Sequence, residues 1–244
     1  MPSRSSNQAG IAPVESCMPS TSSAGASTLC RGRNALILPG DAFIGVSLSS
    51  VTLFTKAALR GLSETIRTPS TLTIVVADAL AAYNYEIFLG LDANTAWNRA
   101  IRVGAQYARG YAKLARASSL VRVTTLSTFF KAPELEGALQ IIRDFHARNP
   151  AFAKDVSAQI VRNIGGRLEA VPDQCRGEGT VAQYMLAELA TCVYLYQFSD
   201  LVAPTQISPR PDLLLRDLYS GRYPELYNAL GLDWTKYRYV EFPW

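Results

Sequence analysis

A serine and a tyrosine–glutamate pair are the side chains of this 244-residue sequence that are best suited to chemistry. Ser47 follows Gly45 at the end of an apolar run. Glycine lets a ligand approach the backbone there, and the serine hydroxyl could act as a nucleophile. A turn or helix-capping serine is the alternative, and the local sequence alone favours it. Tyr184 and Glu188 stand four residues apart, so they would share one face of a helix.

Glu188 lies in a strongly apolar stretch. A buried carboxylate is costly unless it is paired. The pair therefore predicts either a carboxylate at the rim that faces water, or a carboxylate and a phenol that together hold a cation such as an α-ammonium group. The local sequence leaves both interpretations open.

A run of positive charge is the third candidate site. No acidic residue occurs between Ala93 and Pro133, where seven basic residues occur, so this segment carries +7 within a chain of net charge +4. A solvated face normally mixes both signs of charge, so an unmixed cationic face favours a polyanion that is bound through its phosphates. The basic residues that share one face of the predicted helix are Arg99, Arg102, Arg109, Lys113 and Arg116.

Several kinds of site are excluded or disfavoured. The single histidine, His146, excludes sites that need two or three imidazoles, including HExxH metalloproteases. A Ser-His-Asp triad is disfavoured, since Ser49 replaces the last glycine of the GxSxG pattern. The four cysteines form no CxxC pair, which predicts reduced thiols in a cytoplasmic protein, with Cys192 buried. No apolar run approaches the roughly 20 residues that span a bilayer.

Strands that alternate with helices must position these side chains. Apolar runs rich in β-branched residues predict strands at 42–48, 72–77 and 120–126, and a last strand is predicted at 236–242. Helical patterns are predicted at 51–66, 94–117, 133–148, 152–164, 180–198 and 212–218. This alternation predicts an α/β fold, a Rossmann-like doubly wound, mainly parallel sheet flanked by helices.

The folded unit is predicted to be a single domain over residues 35–244. Residues 1–34 are rich in Ser, Ala, Gly and Pro, which predicts a disordered tail. Ligands of such sheets bind beyond the carboxyl ends of the strands, where the strand order reverses. That rule places Ser47, Asp78 and Ser127 near one crevice.

Taken together, these features resemble the cyclodipeptide synthases over roughly residues 35–230. The resemblance rests on Gly45-Val46-Ser47, on Tyr184-xxx-Glu188, on the basic helix that starts near Arg99, and on the Ser208–Pro211 stretch. That family uses two aminoacyl-tRNAs to make a 2,5-diketopiperazine. Its fold is similar to the catalytic domain of class I aminoacyl-tRNA synthetases.

The resemblance implies a role for each matching position. Ser47 would accept the first aminoacyl group, Tyr184 and Glu188 would hold its α-amino group, and the basic helix would bind tRNA phosphates. Ser208 would be a catalytic position, but it stands where the family usually has a tyrosine, so that role is in question. The resemblance places further substrate-binding positions at Phe43, Gly45, Val75, Asp78, Thr191 and Gln206.

The resemblance also bears on cofactors and partners. An aminoacyl ester is already activated, so no cofactor and no metal is expected. The partners would be two aminoacyl-tRNAs, with no DNA and no membrane, and the protein would be a monomer. The amino acids that are joined stay open. An arginine-using branch of the family is possible, with Asp78 or Asp200 as the carboxylate that it would need.

Two other function classes remain open. A non-catalytic RNA-binding protein on a Rossmann-like scaffold would explain the basic helix but not Tyr184 and Glu188. A small α/β serine hydrolase or transferase would explain Ser47 but not the cationic face.

Overall fold

A parallel sheet of six strands organises the computed structural model, which describes residues 26–28, 40–48, 71–116, 120–164, 178–201, 204–208 and 212–241. The strand order is β1-β6-β5-β2-β3-β4, and each neighbouring pair is parallel. The order reverses between β2 and β5. The strands are β1 (Ala26–Thr28), β2 (Ala42–Val46), β3 (Leu72–Val76), β4 (Val121–Thr125), β5 (Thr205–Ser208) and β6 (Tyr239–Glu241).

Helices pack against both faces of this sheet, so the predicted Rossmann-like, doubly wound fold is confirmed. Five of the helices begin and end within two residues of the predicted ranges. The predicted helix at 51–66 lies outside the described residues. The helices are α1 (Asp78–Leu89), α2 (Ala93–Ala115), α3 (Pro133–Arg148), α4 (Pro150–Ile164), α5 (Glu178–Gln197), α6 (Leu213–Tyr219) and α7 (Pro224–Ala229).

The sheet has a core on each face, which explains why β2 and β3 are almost continuously apolar. Alternate residues of β2, such as Ala42 and Ile44, pack with Ala100 and Tyr111 of α2. Phe43 points to the other face and joins the cluster formed by α3, α4 and α5. Ser47 follows β2 directly and therefore lies at the carboxyl edge of the sheet.

No sequence pattern predicted α1, β5 or α7. Helix α1 has five consecutive buried residues at its start, because it packs between α2 and α5. It therefore has no single apolar stripe of the kind that marks an amphipathic helix. It ends at Gly90, whose φ of 62° is a left-handed conformation that glycine adopts readily. Strand β5 has only four residues, and α7 has six.

Three residues of the predicted disordered tail over residues 1–34 are among the described residues. Ala26–Thr28 forms β1, which pairs in parallel with β6 at the edge of the sheet. Backbone hydrogen bonds to that edge order these residues without any need for large apolar side chains. The rest of the predicted tail lies outside the described residues.

Candidate active site

A cavity of about 170 Å³ lies at the carboxyl edge of the sheet, beside the point where the strand order reverses. Strands β2 and β5 pair only through Ala42 with Thr205 and Phe43 with Gln206. Beyond those pairs both strands contribute to the lining of the cavity. Such a gap is where open parallel sheets bind their ligands. The strand residues and their extensions that line it are Phe43, Gly45, Ser47, Val75, Gln206, Ile207 and Ser208.

Two helices complete the cavity, and each contributes one face. The spacing of these residues along α1 and α5 follows the helical repeat, so each set forms a stripe. From α1 and the residue before it come Ala77, Leu80, Ala81 and Asn84, and from α5 come Tyr184, Glu188, Thr191, Cys192 and Leu195. Leu126, which follows β4, closes the wall between α1 and the sheet.

Nine of the ten residues predicted for catalysis or substrate binding line this one cavity. They come from β2, β3, α5 and β5, which are separated by up to about 160 residues of sequence. The structure therefore brings the predicted side chains together, while the chemical role of each one stays a prediction. Asn84 and Cys192 also line the cavity, and neither was predicted as a site residue. The helical spacing of Cys192, four residues after Glu188, was a usable signal.

Asp78 is the exception, since it is not among the residues that line the cavity, and its predicted contact with a substrate stays a prediction. Its side chain is buried, and its carboxylate accepts hydrogen bonds from the backbone N–H of Ala79 at 2.9 Å and of Ser127 at 2.8 Å. It also accepts one from the Ser127 hydroxyl at 2.6 Å. The carboxylate therefore faces the end of β4 rather than the cavity. Asp200 is exposed and does not line the cavity either.

Glu188 is the only acidic residue among the described side chains that line the cavity. Its Oε2 atom is inaccessible to solvent and has no hydrogen-bond partner among the described residues. Burial, and then the negative charge of Asp212, raise the pKa of Glu188 to about 8, while a hydrogen bond with Tyr184 opposes the shift. The carboxyl group is thus protonated near neutral pH, and a cation placed against it would favour the carboxylate.

Tyr184 and Asp212 determine the surroundings of that carboxyl group. The charge of Glu188, followed by burial, raises the pKa of Tyr184 well above its usual value, so the phenol stays a hydrogen-bond donor. Asp212 does not line the cavity, because its Oδ1 atom caps α6 by accepting from the Leu215 N–H at 3.0 Å. No sequence pattern predicted this second carboxylate near Glu188.

Other nucleophiles and bases are less suited to the cavity. Cys192 is buried, as predicted, and burial raises the pKa of its thiol well above the usual range, so it is not a thiolate at neutral pH. His146 packs edge-to-face against Phe152 with ring centroids 6.2 Å apart, away from the cavity. Because the sequence has one histidine, no imidazole lines the cavity.

The predicted basic helix is confirmed as an amphipathic helix, α2. Its five predicted cationic residues are all exposed, and none forms an ion pair with a carboxylate of the described residues. The opposite side packs on the sheet through Ala100, Val103 and Tyr111. Arg99 also lies over the ring of Tyr85, 5.0 Å from its centroid. The exposed cations fit a polyanion, and RNA as that polyanion stays a prediction.

The described residues contain no group of three His, Cys, Asp or Glu side chains that could hold a metal ion. Within the same part of the chain, no helix is both long enough and apolar enough to cross a membrane.

Comparison with solved structures identifies the fold. The chain is similar to a cyclodipeptide synthase from Staphylococcus haemolyticus, with a TM-score of 0.58 and 14% identity over 82% of this chain and 88% of that one. A synthase from Candidatus Glomeribacter gigasporarum bound to Phe-tRNAPhe gives a TM-score of 0.57 and 15% identity over 84% of this chain and 88% of that one.

A protein from Mycobacterium tuberculosis gives a TM-score of 0.52 and 16% identity over 74% of this chain and 78% of that one. Its structure was described as relating the cyclodipeptide synthetases to type I tRNA synthetases. No family model and no curated protein matches the sequence. The chain therefore has the fold of cyclodipeptide synthases, and at these identities the likeness establishes the fold alone.

The raised pKa of Glu188 predicts how stability depends on pH. The folded-state pKa of about 8 exceeds the ordinary value of 4.5, so stability from the protonated form is present below pH 4.5 and is lost as the pH rises to about 8. Between pH 5 and pH 8, we expect the wild type to lose on the order of 3 kcal/mol of unfolding free energy relative to Glu188→Gln.

Urea unfolding at the two pH values measures this difference. Glu136→Gln is the matched control, because Glu136 is exposed on α3 and should leave the wild-type pH dependence unchanged. Parallel pH profiles for the wild type and Glu188→Gln would contradict the prediction.

Proposed function

We propose that this chain is a cyclodipeptide synthase, which takes aminoacyl groups from two aminoacyl-tRNAs and releases a 2,5-diketopiperazine. One observation carries the proposal: Ser47, Tyr184 and Glu188 line a single cavity at the reversal of strand order in a sheet with the cyclodipeptide synthase fold. The similarity to a synthase that binds Phe-tRNAPhe supports an aminoacyl-tRNA as the substrate.

In the first step, the Ser47 hydroxyl attacks the ester carbonyl of the first aminoacyl-tRNA. The new bond joins Ser47 Oγ to the acyl carbon, and the bond between that carbon and the ribose oxygen breaks. The proton of the serine passes to the departing ribose oxygen, through the vicinal ribose hydroxyl. This route suits a cavity without an imidazole, since the substrate is an activated ester and supplies its own proton acceptor.

In the second step, the free α-amine of the Ser47-bound aminoacyl group attacks the ester of the second aminoacyl-tRNA. A peptide bond forms, the second tRNA leaves with the proton of the amine, and a dipeptidyl group remains on Ser47. Its terminal amine then attacks the Ser47 ester, which closes the six-membered ring and returns the proton to Ser47 Oγ. Each step exchanges one acyl bond for another, so no oxidant, reductant or ATP is required.

Glu188 and Tyr184 have the chemistry to bind the α-amino group. An α-ammonium beside Glu188 would give the carboxyl group the partner that its Oε2 atom lacks among the described residues. Burial raises the pKa of Glu188 to about 8, so this group can accept a proton from the α-ammonium near neutral pH. The amine must lose that proton before it can attack.

The remaining predicted residues take supporting roles in this proposal. Ser208 ends β5 and lines the cavity, and its hydroxyl would contact the acyl-enzyme through water in place of the family's tyrosine. Phe43, Gly45, Val75 and Gln206 would surround the aminoacyl group. The cationic face of α2 would hold the tRNA backbone. An aminoacyl-tRNA substrate also favours a cytoplasmic location, and we propose that the enzyme acts as a monomer.

The two other function classes account for less of the structure. A non-catalytic RNA-binding protein would not explain a buried carboxyl group beside a serine in one cavity. A serine hydrolase would need a general base, and His146, the sole histidine, lies outside the cavity.

Substitution of Ser47 tests the covalent step. The wild type, expressed in bacteria, should release cyclic dipeptides that mass spectrometry detects in the medium, and Ser47→Ala should lower their amount at least about 10³-fold. Ser157→Ala is the control, because this serine is exposed on α4 and its hydroxyl donates to the carbonyl of Ala153 in the same helix. Undiminished product from Ser47→Ala would contradict the acyl-enzyme, and a folded wild type without product would contradict the proposal.

Gly45→Ala tests whether substrate occupies the cavity beside Gly45, because it should lower activity without lowering the stability of the fold. A methyl group at Gly45 would meet no atom of the described residues within 4 Å, and Gly45 lines the cavity, so the methyl group would occupy space meant for substrate. We expect the unfolding free energy to change by less than about 1 kcal/mol, while kcat/KM for aminoacyl transfer falls roughly 10- to 100-fold.

Gly137→Ala is the control for that substitution, because Gly137 is exposed on α3 and a methyl group there also has no neighbour within 4 Å in the part of the chain that the structure describes. Equal activity in the two variants would show that substrate does not pass Gly45.

Charge reversal on α2 tests the RNA surface. Arg109→Glu should weaken binding of unacylated bulk tRNA about tenfold at 0.1 M salt, and should lower the slope of log affinity against log salt by about one. Filter binding over a salt series measures both quantities. Lys154→Glu, an equally exposed change on α4, should leave both near the wild-type values, and an equal loss in the two variants would indicate a general charge effect rather than a site on α2.

A further inference from the structure

The carboxylate of Asp78 is almost completely buried, with 1% of the residue exposed, yet the proposed reaction does not use it. Its three hydrogen bonds come from the backbone N–H groups of Ala79 and Ser127 and from the Ser127 hydroxyl. Asp78 follows β3, and Ser127 follows β4. The carboxylate therefore fastens together two chain segments that leave the carboxyl edge of the sheet.

Both fastened segments carry part of the cavity wall. Ala77 and Leu80 flank Asp78 and line the cavity, and Leu126, next to Ser127, lines it as well. The Thr125 hydroxyl lies 3.1 Å from the Ser127 hydroxyl, which extends the network along the β4 side. A shift of the Asp78 carboxylate would thus move apolar groups that contact whatever occupies the cavity.

A third element fixes Asp78 from the opposite side. A Cβ atom at Gly104 of α2 would lie 2.3 Å from the Cβ of Asp78, which is too close for two carbon atoms that are not bonded to each other. Glycine at this position lets α2 pack directly against the start of α1. The helix that presents the five exposed cations is therefore in contact with the residue that holds the cavity wall together.

We propose that Asp78 is a positioning residue for aminoacyl transfer. It fixes the positions of Ala77, Leu80 and Leu126 in the cavity wall, and it packs this wall against the cationic helix at Gly104. The proposal rests on the proposed function, since it concerns the same cavity and reaction. Asp78 acts through hydrogen-bond geometry and not through its charge. The distance between the ends of β3 and β4 then stays the same when RNA binds α2.

Gly104→Ala tests the packing of Asp78 against α2 and removes no hydrogen-bonding group. We expect the single-turnover rate constant for transfer to Ser47 to fall about tenfold. The affinity for unacylated tRNA should stay within about twofold, because the exposed cations are unchanged. Gly110→Ala is the matched control on the same helix, since a methyl group there meets none of the described atoms within 4 Å. Circular dichroism must show that each variant is folded at the assay temperature.

Asp78 substitutions test the fastening itself. Asp78→Asn keeps an oxygen for both N–H groups and can donate to the Ser127 hydroxyl, so transfer should stay within about threefold of the wild type. Asp78→Ala should lower kcat at least about tenfold, with KM little changed. In the same variant the Ser127 amide should exchange with solvent at least about tenfold faster. Ser127→Ala, which removes one hydrogen bond, should give an intermediate kcat.

The outcomes separate the two proposals. A wild type that takes no aminoacyl group contradicts the proposed function, and the positioning role falls with it. An active wild type whose kcat is the same in Gly104→Ala and Gly110→Ala overturns the positioning role alone. Equal losses in Asp78→Asn and Asp78→Ala would also overturn it, because they would show that the charge matters rather than the geometry. A tRNA affinity lost in parallel with kcat would indicate a disturbed helix α2 instead.

Discussion

The separation of β2 from β5 is the constraint on which the site depends. The chain adds β3 and β4 on one side of β2, and β5 and β6 on the other, so the connections leave the carboxyl edge in opposite directions. Strands β2 and β5 pair over only two residues. Their ends then supply Ser47 and Ser208 to a common cavity. Helix α5 lies across this gap and brings Tyr184 and Glu188 to it.

The electrostatics of the cavity follow from that enclosure. Burial and a neighbouring carboxylate, Asp212, hold the Glu188 carboxyl in its neutral form near pH 7, and the thiol of Cys192 is kept neutral for the same reasons. Such a cavity suits a ligand that brings a positive charge to Glu188 and an activated ester to Ser47. An aminoacyl ester has both groups at adjacent carbon atoms, and its ribose can accept the proton that an imidazole would otherwise take.

In the proposed reaction the cationic face of α2 and the cavity bind parts of the same substrate, and they are also connected by direct packing contacts. Helix α2 packs its apolar side on one face of the sheet, while α5 and the cavity lie on the other. Contact between them runs around the carboxyl edge, through Gly104, Asp78 and Ser127. The family resemblance would place Asp78 against a substrate. Its carboxylate oxygens instead accept hydrogen bonds from three donors and so link two chain segments at the edge of the sheet.

The sequence by itself determined the local elements and the distribution of charge. Apolar runs identify β2 and β3, since strands buried on both faces need apolar residues throughout. Strand β4 lies at the edge of the sheet, and its β-branched residues identify it. Periodicity identifies α2 and α3 because one side of each faces water.

Only the tertiary structure decided which chemical groups meet, since that depends on packing between elements far apart in the chain. Helix α1 lacks an apolar stripe because α2 and α5 enclose it, so Asn84 could not be found from the sequence. The raised pKa of Glu188 and the hydrogen bonds of Asp78 likewise come from neighbours that no local pattern specifies.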